Sequence, residues 1–336
     1  MAGMNSKLNA IIQRIRRTSK SRTVKSLAER YGYLPYMVAR YLEVLGSKAE
    51  TVELLDANEE PLPETIRCND YLIDCRSLRE RLESKGYILD PIPFLPHGFI
   101  VSSMGIGTLG STHEYLMGYY YIQDPASMSV VYALDPREGE LIVDMAAAPG
   151  GKSTQILQLT RDSSFLLAIE KNAKRIRSLR SNLSRMGFTS YTIIQGDSLH
   201  IEIPFTPDRI LLDAPSTGEG IIRKDPKRKR SRTLEDLIEI HEIQYRMLRR
   251  AVRIVREGGV IVYSACTLAP EEGEIVIDRI LGEFDNVTVE PLGLPVSPGI
   301  DEYFGVRFDR RVVSCGRFWP HRHGTEGFFI CRLRKT

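Results

Sequence analysis

The chain has 336 residues, 42% hydrophobic and 26% charged, with a formal net charge of +3. These are ordinary values for a globular protein with a substantial core and room for two domains. No apolar run approaches the ~18 residues of a membrane helix and no apolar leader follows the N-terminus, so neither a membrane association nor a signal peptide is expected.

Residues 1 to 45 read as helical and basic. From Lys7 to Arg40, the cations Lys7, Arg14, Arg16, Arg17, Lys20, Arg22, Lys25, Arg30 and Arg40 stand against Glu29 alone. Ile11, Ile12, Ile15, Val24 and Leu27 give this segment a packing face. The one-sided charge gives it a surface suited to a phosphate backbone. Residues 57 to 63 form a polar, proline-bearing connection. A short strand at Ile66 to Cys68, a helix at Ser77 to Glu83 and strands at Tyr87 to Leu89 and Gly98 to Val101 predict a small α/β module. The stretch 94 to 110 is apolar and carries glycines. A brief helix at Glu114 to Met117 leads into Tyr119, Tyr120 and Tyr121, which read as core rather than a base-stacking platform.

From Glu138 onward, strands and helices alternate. Strands are expected at Leu141–Val143, Phe165–Ile169, Tyr191–Ile194, Arg209–Leu212 and Val260–Tyr263. Such continuous apolar runs belong to parallel strands covered on both faces. Helices are expected at Ser153–Leu159, Ala173–Met186 and Leu234–Arg256, the last with Leu237, Ile240, Ile243, Met247, Ala251 and Ile254 at helical spacing. Strands at Val287–Val289 and Phe328–Leu333 read as an edge hairpin. The pattern predicts a doubly wound α/β fold with a mostly parallel sheet.

Five cysteines, at 68, 75, 266, 315 and 331, are too few and too irregular for a disulfide framework or a zinc site. A reducing, cytoplasmic setting follows from that reading. His321 and His323 near Cys315 match no common ligand spacing, and no metal is expected.

In such a sheet the ligand lies beyond the carboxyl ends of the strands. The first strand ends at Asp144, before the turn Ala146 to Gly151 and a helix opened by Lys152, Ser153 and Thr154. Glycine–lysine–serine–threonine resembles a P-loop, but that motif needs a glycine where Ala146 stands. Glu170, at the end of the second strand, is placed to take ribose hydroxyls; Asp197, after the third, is placed to accept from an adenine amino group. Glycines and carboxylates converging on a nucleoside fit S-adenosylmethionine, and nothing demands a phosphate. Seven cations between Arg223 and Arg232, against Asp225 alone, form a second basic cluster beside this face and are expected to touch phosphates.

The stretches DMAAAPGGKST (144–154), AIEKNAKR (168–175), QGD (195–197), DAPSTGEG (213–220) and YSACTLAPEEGE (263–274) resemble the Sun family of RNA cytosine-C5 methyltransferases, most closely its archaeal tRNA members. GYYYIQDPASM (118–128) and RFWPHRHGTEGFF (317–329) match as well. The resemblance runs from about residue 64 to the end. It implies a class I methyltransferase-like, Rossmann-type catalytic domain over 111–336 and a smaller helical and α/β RNA-binding region over 1–110. It implies S-adenosyl-L-methionine held by Ala147, Ala148, Pro149, Gly150, Gly151, Lys152, Ser153, Glu170, Arg175, Asp197 and Asp213. Cys266 is then the thiol that adds to C6 of cytosine, with a lowered pKa from the cationic cofactor, and Asp213 meets the base at N3 or N4. The expected partner is RNA, tRNA first, with rRNA as the alternative and no role on DNA or membranes. Where the family usually has a second cysteine that helps product release, this chain has Ser216. A hydroxyl does not replace a thiol without a dedicated base. That departure keeps a third reading open, a non-catalytic RNA-binding or assembly protein on the same fold.

Overall fold

The computed structural model describes residues 6–103, 105 and 107–336. The first five residues of the basic segment, and Met104 and Ile106 of the stretch 94–110, lie outside the described residues.

Four helices open the chain: α1 (Ser6–Thr18), α2 (Arg22–Tyr31), α3 (Pro35–Leu45) and α4 (Lys48–Ala57). Their ends are written in the sequence. Ser21 caps α2 by accepting from the Val24 N–H, and Gly32 closes it at φ 76°, a left-handed conformation that glycine adopts without strain. Next come β1 (Glu64–Cys68), α5 (Cys75–Glu83), β2 (Ile88–Pro91), β3 (Gly98–Ser103), α6 (His113–Leu116) and β4 (Tyr120–Ile122). These strands make an antiparallel sheet in the order β2-β3-β1-β4. Tyr120 is fully buried against it, as expected of a core residue, whereas Tyr119 and Tyr121 are half-buried, which corrects the reading of the whole tyrosine run as core.

The C-terminal part holds α7 (Pro125–Leu134), β5 (Leu141–Asp144), α8 (Gly151–Leu159), β6 (Phe165–Glu170), α9 (Ala173–Arg185), β7 (Tyr191–Gln195), β8 (Arg209–Asp213), α10 (Leu234–Ile254), β9 (Val260–Ala265) and α11 (Glu274–Leu281). After these come β10 (Val287–Glu290), β11 (Ser297–Pro298), β12 (Glu302–Tyr303), β13 (Val306–Arg307), β14 (Gly316–Phe318), α12 (Pro320–His323) and β15 (Phe328–Lys335). Strands β9-β8-β5-β6-β7 run parallel, and β15 joins β9 antiparallel. The order reverses between β5 and β8, the place where doubly wound sheets bind ligands. Side chains alternate between two cores. Ile142, Leu166 and Leu211 pack with α7, α8 and α9, while Val143, Leu167 and Leu212 pack with α10, α11 and the N-terminal helices. In α10, Leu237, Leu248 and Ala251 are fully buried; each leucine contributes ~1.5–3 kcal/mol by leaving water. Thr233 and Asp236 cap that helix reciprocally.

Two expectations are corrected. The strands at 287–290 and 328–335 do pair, but not as an edge hairpin: β15 is an interior strand between β9 on one side and β10 and β14 on the other. Cys68 and Cys75 form a disulfide. The cysteine count concealed it because the pair closes a local loop beside the small sheet rather than building a framework. With it, the argument for a reducing compartment falls away. Among the described residues no helix is long and apolar enough to cross a membrane.

Candidate active site

The strand ends place the site. Asp144 is buried; its carboxylate accepts from Ser153 Oγ at 2.7 Å and from the Ala146 N–H at 3.3 Å. Burial pushes it up to about 6. These bonds fold the turn back over the strand and seat the N-terminus of α8. Gly150 takes φ 106° there, and a Cβ on Gly151 would come within 3.2 Å of the Tyr121 ring. A side chain would be strained at Gly150 and crowded at Gly151, so this end of the turn approaches a ligand with backbone.

A cleft of about 250 Å³ opens above this turn. Ala147, Ala148, Pro149, Gly151, Lys152 and Asp213 line it, as the sequence indicated. So do Gln123, Asp124 and Glu326, to which the sequence gave no role, Tyr121, expected in the core, and Lys224, expected on a phosphate. All but Lys224 lie in the stretches 118–128 and 317–329, whose resemblance to the family is the signal that could have found them. Lys152 donates from Nζ to Asp213 Oδ2 at 2.7 Å, and Ser264 Oγ donates to Asp213 Oδ1 at 2.7 Å. Asp213 is thus held on both oxygens, and the Lys152 ammonium is already neutralised. Four carboxylates (Asp124, Asp144, Asp213, Glu326) and two ammonium groups line the cleft. That balance suits a cation and not a phosphate.

Gly150, Ser153, Glu170, Arg175 and Asp197 do not line the cleft; they flank it. Arg175 lies 3.5 Å from Glu170 and also donates to the Ala148 carbonyl, so it ties the second strand end to the turn. Glu170 also accepts from the Asn172 N–H at 2.8 Å. Asp197 follows β7. Its partial burial is outweighed by the Leu199 N–H and the Lys171 ammonium, which hold the carboxyl below its ordinary value.

Cys266 follows β9, two residues beyond Ser264, which stands opposite Asp213 in the β8–β9 register. Its Sγ lies 3.7 Å from Glu326 Oε2 and 3.8 Å from the Gly327 carbonyl. Burial foremost, then the carboxylates of Glu326, Asp213 and Asp124, push the thiol well above its ordinary value. The protein by itself therefore does the opposite of lowering this pKa. Ser216 Oγ donates to the Cys266 carbonyl at 3.4 Å.

Much of the second basic cluster also makes contacts within the fold. Lys224 pairs with Glu326, Arg228 with Asp225 and Lys229 with Glu59. Arg223 donates to the Glu60 and Pro61 carbonyls, and Arg230 to Gly32. His321 pairs with Glu50 and His323 with the Trp319 backbone, and among the described residues no group of three acids, cysteines or histidines is placed to hold a metal.

Residues 131–334 match the family model of the 16S rRNA methyltransferase RsmB/F, and residues 34–125 match the N-terminal domain of 16S rRNA methyltransferase RsmF. A 28S rRNA (cytosine-C(5))-methyltransferase of Mus musculus is 36% identical over 94% of this chain and 40% of its own length. Ribosomal RNA small subunit methyltransferase F of Aliivibrio salmonicida is 35% identical over 89% of this chain and 63% of its own. The chain thus spans less than two thirds of either relative. A crystal structure of a methyltransferase homolog protein from Pyrococcus horikoshii superposes with a TM-score of 0.85 at 36% identity, covering 94% of this chain and 100% of that one. NSun6 from Pyrococcus horikoshii, solved with SFG, gives 0.78 at 26% identity, covering 89% and 97%.

Proposed function

This chain belongs to the 16S rRNA methyltransferase RsmB/F family, and from that premise we propose that it transfers a methyl group from S-adenosyl-L-methionine to C5 of a cytosine in RNA. The observation that carries the reading is that the neighbouring parallel strands β8 and β9 end together, bringing Asp213 and, two residues past its partner Ser264, Cys266 to the same side as the cleft under which the glycine turn lies.

The residues fit that cofactor. The cleft wall is backbone at Ala147 to Gly151, and its excess of carboxylates complements a sulfonium. Glu170 is placed for the ribose hydroxyls and Asp197 for the adenine amino group, with Lys152 and Ser153 holding the loop and Arg175 bracing it. SFG, bound to NSun6, is an analogue of the same cofactor. When bound, the cofactor supplies an electrophilic methyl group. The chain's own residues do the rest. The Cys266 thiolate adds to C6 and makes C5 nucleophilic. Asp213, fixed by Ser264 and Lys152, holds the cytosine edge at N3 or N4. The target base must be flipped out or already unpaired to reach them.

The rRNA activities in the names of the mouse and Aliivibrio relatives favour ribosomal RNA over the tRNA that the sequence suggested. Ser216 favours a slow release step, because no thiol stands where the family has one. Labelled methyl transfer into separated rRNA and tRNA tests the substrate. A denaturing gel tests the chemistry: a persistent RNA adduct is expected, absent in Cys266→Ala together with methyl transfer. No incorporation into either RNA would leave only RNA binding, and full turnover by Cys266→Ala would remove Cys266 from the mechanism.

A further inference from the structure

The catalytic reading leaves one proton without a destination. Cys266 is protonated in the free protein, and only a thiolate adds to C6. Within hydrogen-bond reach of Sγ stand two acceptors, Glu326 Oε2 at 3.7 Å and the Gly327 carbonyl at 3.8 Å. A peptide carbonyl does not hold a proton near neutrality. Both oxygens of Asp213 are engaged, by Lys152 and by Ser264. Ser216 Oγ is turned to the Cys266 carbonyl.

We propose that Glu326 is the general base of this site and takes the Cys266 proton as the sulfur adds to the cytosine. The proposal rests on Cys266 as the nucleophile and adds a catalytic residue to it. The surroundings hold this carboxylate against the sulfur. Glu326 is buried. Its backbone N–H donates to Asp124 Oδ2 at 3.1 Å, and Asp124, the N-cap of α7, is fixed in turn by the Ala126 N–H at 2.8 Å. Lys224 Nζ lies 2.6 Å from Glu326 Oε1, which leaves Oε2 for the thiol. The backbone is welded to the strand ends on either side. Gly220 donates to the Cys266 carbonyl at 3.1 Å, and Gly327 donates to the Gly220 carbonyl at 2.9 Å. Neither glycine tolerates a side chain: a Cβ on Gly220 would collide with the Gly327 carbonyl, and one on Gly327 would lie 2.6 Å from Leu268 Cδ2. The loop after β8, the nucleophile and the base therefore move as one unit.

The step balances. The S–H bond breaks and its proton goes to Glu326 Oε2. The sulfur lone pair forms the S–C6 bond, and the C5–C6 π pair moves onto C5. Once C5 carries the methyl group, its remaining proton passes to solvent water, the C5–H pair re-forms the C5–C6 double bond, the S–C6 pair returns to sulfur, and the carboxylic acid gives its proton back to the thiolate. Lys224, paired with Glu326, and Lys152, paired with Asp213, are the cations facing this group; Asp124 and Asp213 are the other acids.

Glu326→Gln keeps the shape and the backbone bonds but cannot take a proton. Two readouts separate a base from a mere neighbour. The first is alkylation of Cys266 by iodoacetamide in the free chain, followed on the Cys266 peptide. Removing a negative charge beside the thiol eases its ionisation, so alkylation should speed up, by about tenfold if the thiol pKa falls by one. The second is RNA adduct formation and methyl transfer, which should fall by roughly 10²–10⁴-fold, with partial recovery in Glu326→Asp. Opposite signs in the two assays support the base. Transfer by Glu326→Gln that holds steady or rises with alkylation overturns it. Cys266→Ala is run alongside. If it abolishes transfer while Glu326→Gln does not, the base assignment alone fails; if it transfers normally, the nucleophile reading fails and this inference with it.

Discussion

Two buried arginines tie the N-terminal region to the sheet, and they are held in opposite ways. Arg40, on α3, is 1% exposed and lies between two carboxylates, Glu219 in the loop after β8 and Glu271 just after Cys266. Tyr41 and Tyr303 donate to the same two acids. Burial works against the Arg40 charge, but the two carboxylates outweigh it and hold the guanidinium above its ordinary value. Arg67, on β1, is fully buried and meets neutral groups: Gln158 at 2.9 Å, Thr154 at 2.8 Å, the Gly151 carbonyl at 2.7 Å and the amides of Gln123 and Gln155. Burial pulls it down to about 9. The difference maps onto the site. Arg40 braces the two loops that carry Asp213 and Cys266, and Arg67 braces the turn and helix on the cofactor side. One brace is ionic and closed; the other is a charge dissolved in dipoles.

The largest effect is expected at Arg40. Arg40→Leu leaves Glu219 and Glu271 buried without a cation, a loss of about 3–5 kcal/mol in denaturant unfolding. Protonating the stranded acids relieves it, so the deficit should shrink from pH 8 to pH 5. A deficit below ~1 kcal/mol that ignores pH would break the comparison. Arg67→Met strands neutral acceptors, at about 1.5–3 kcal/mol for hydrogen bonds to a charged group. Its functional mark differs: cofactor affinity should fall while Cys266 alkylation holds, because Arg67 touches only the turn side. Loss of thiol reactivity in Arg67→Met would show that the two braces are not separate. Asp144 tests the same side by titration. Its carboxyl sits at about 6 in the fold against an ordinary 3.8, so the folded chain holds the proton more tightly. This contribution is complete below the ordinary value and is lost as pH rises through 6, on the order of 2–3 kcal/mol. Asp144→Asn still accepts from Ser153 and has no proton to lose, so its stability relative to the parent should rise between pH 5 and pH 8. A constant difference across that window would mean that Asp144 does not titrate there.

The ionic half of this comparison was hidden in the sequence, and the reason is range. Strands β5 to β9 and helix α10 were legible because apolar period and capping are local signals. Helix α7 was not: Ala126, Met128, Val130, Val131, Ala133 and Leu134 are buried on all sides, so no period marks it. Helix α11, buried almost throughout, failed the same way. In the site, the turn and both strand-end residues could be read from motifs. Glu326 could not be joined to Cys266, because the contact spans 60 residues and depends on β15 entering the sheet beside β9. Arg40 was counted as a surface cation for the same reason: its two acids lie far along the chain.

That miscount sets the smallest prediction, which separates the two basic clusters. Arg17, Lys20 and Arg22 are exposed at the end of α1 and the start of α2, whereas Lys229 is buried against Glu59 and the Tyr33 ring. Similar charge runs have therefore been folded to different ends. Each exposed cation that touches a phosphate contributes about one counterion to the salt dependence of RNA binding. The triple change of Arg17, Lys20 and Arg22 to Ala should flatten the slope of log affinity against log salt by up to about 3, with stability within about 0.5 kcal/mol per site. Lys229→Ala should do the reverse, costing stability by stranding Glu59 contacts and leaving the slope unchanged. If the triple variant keeps the parent slope, the helical face is solvated surface, and the RNA must enter along the cleft rim without it.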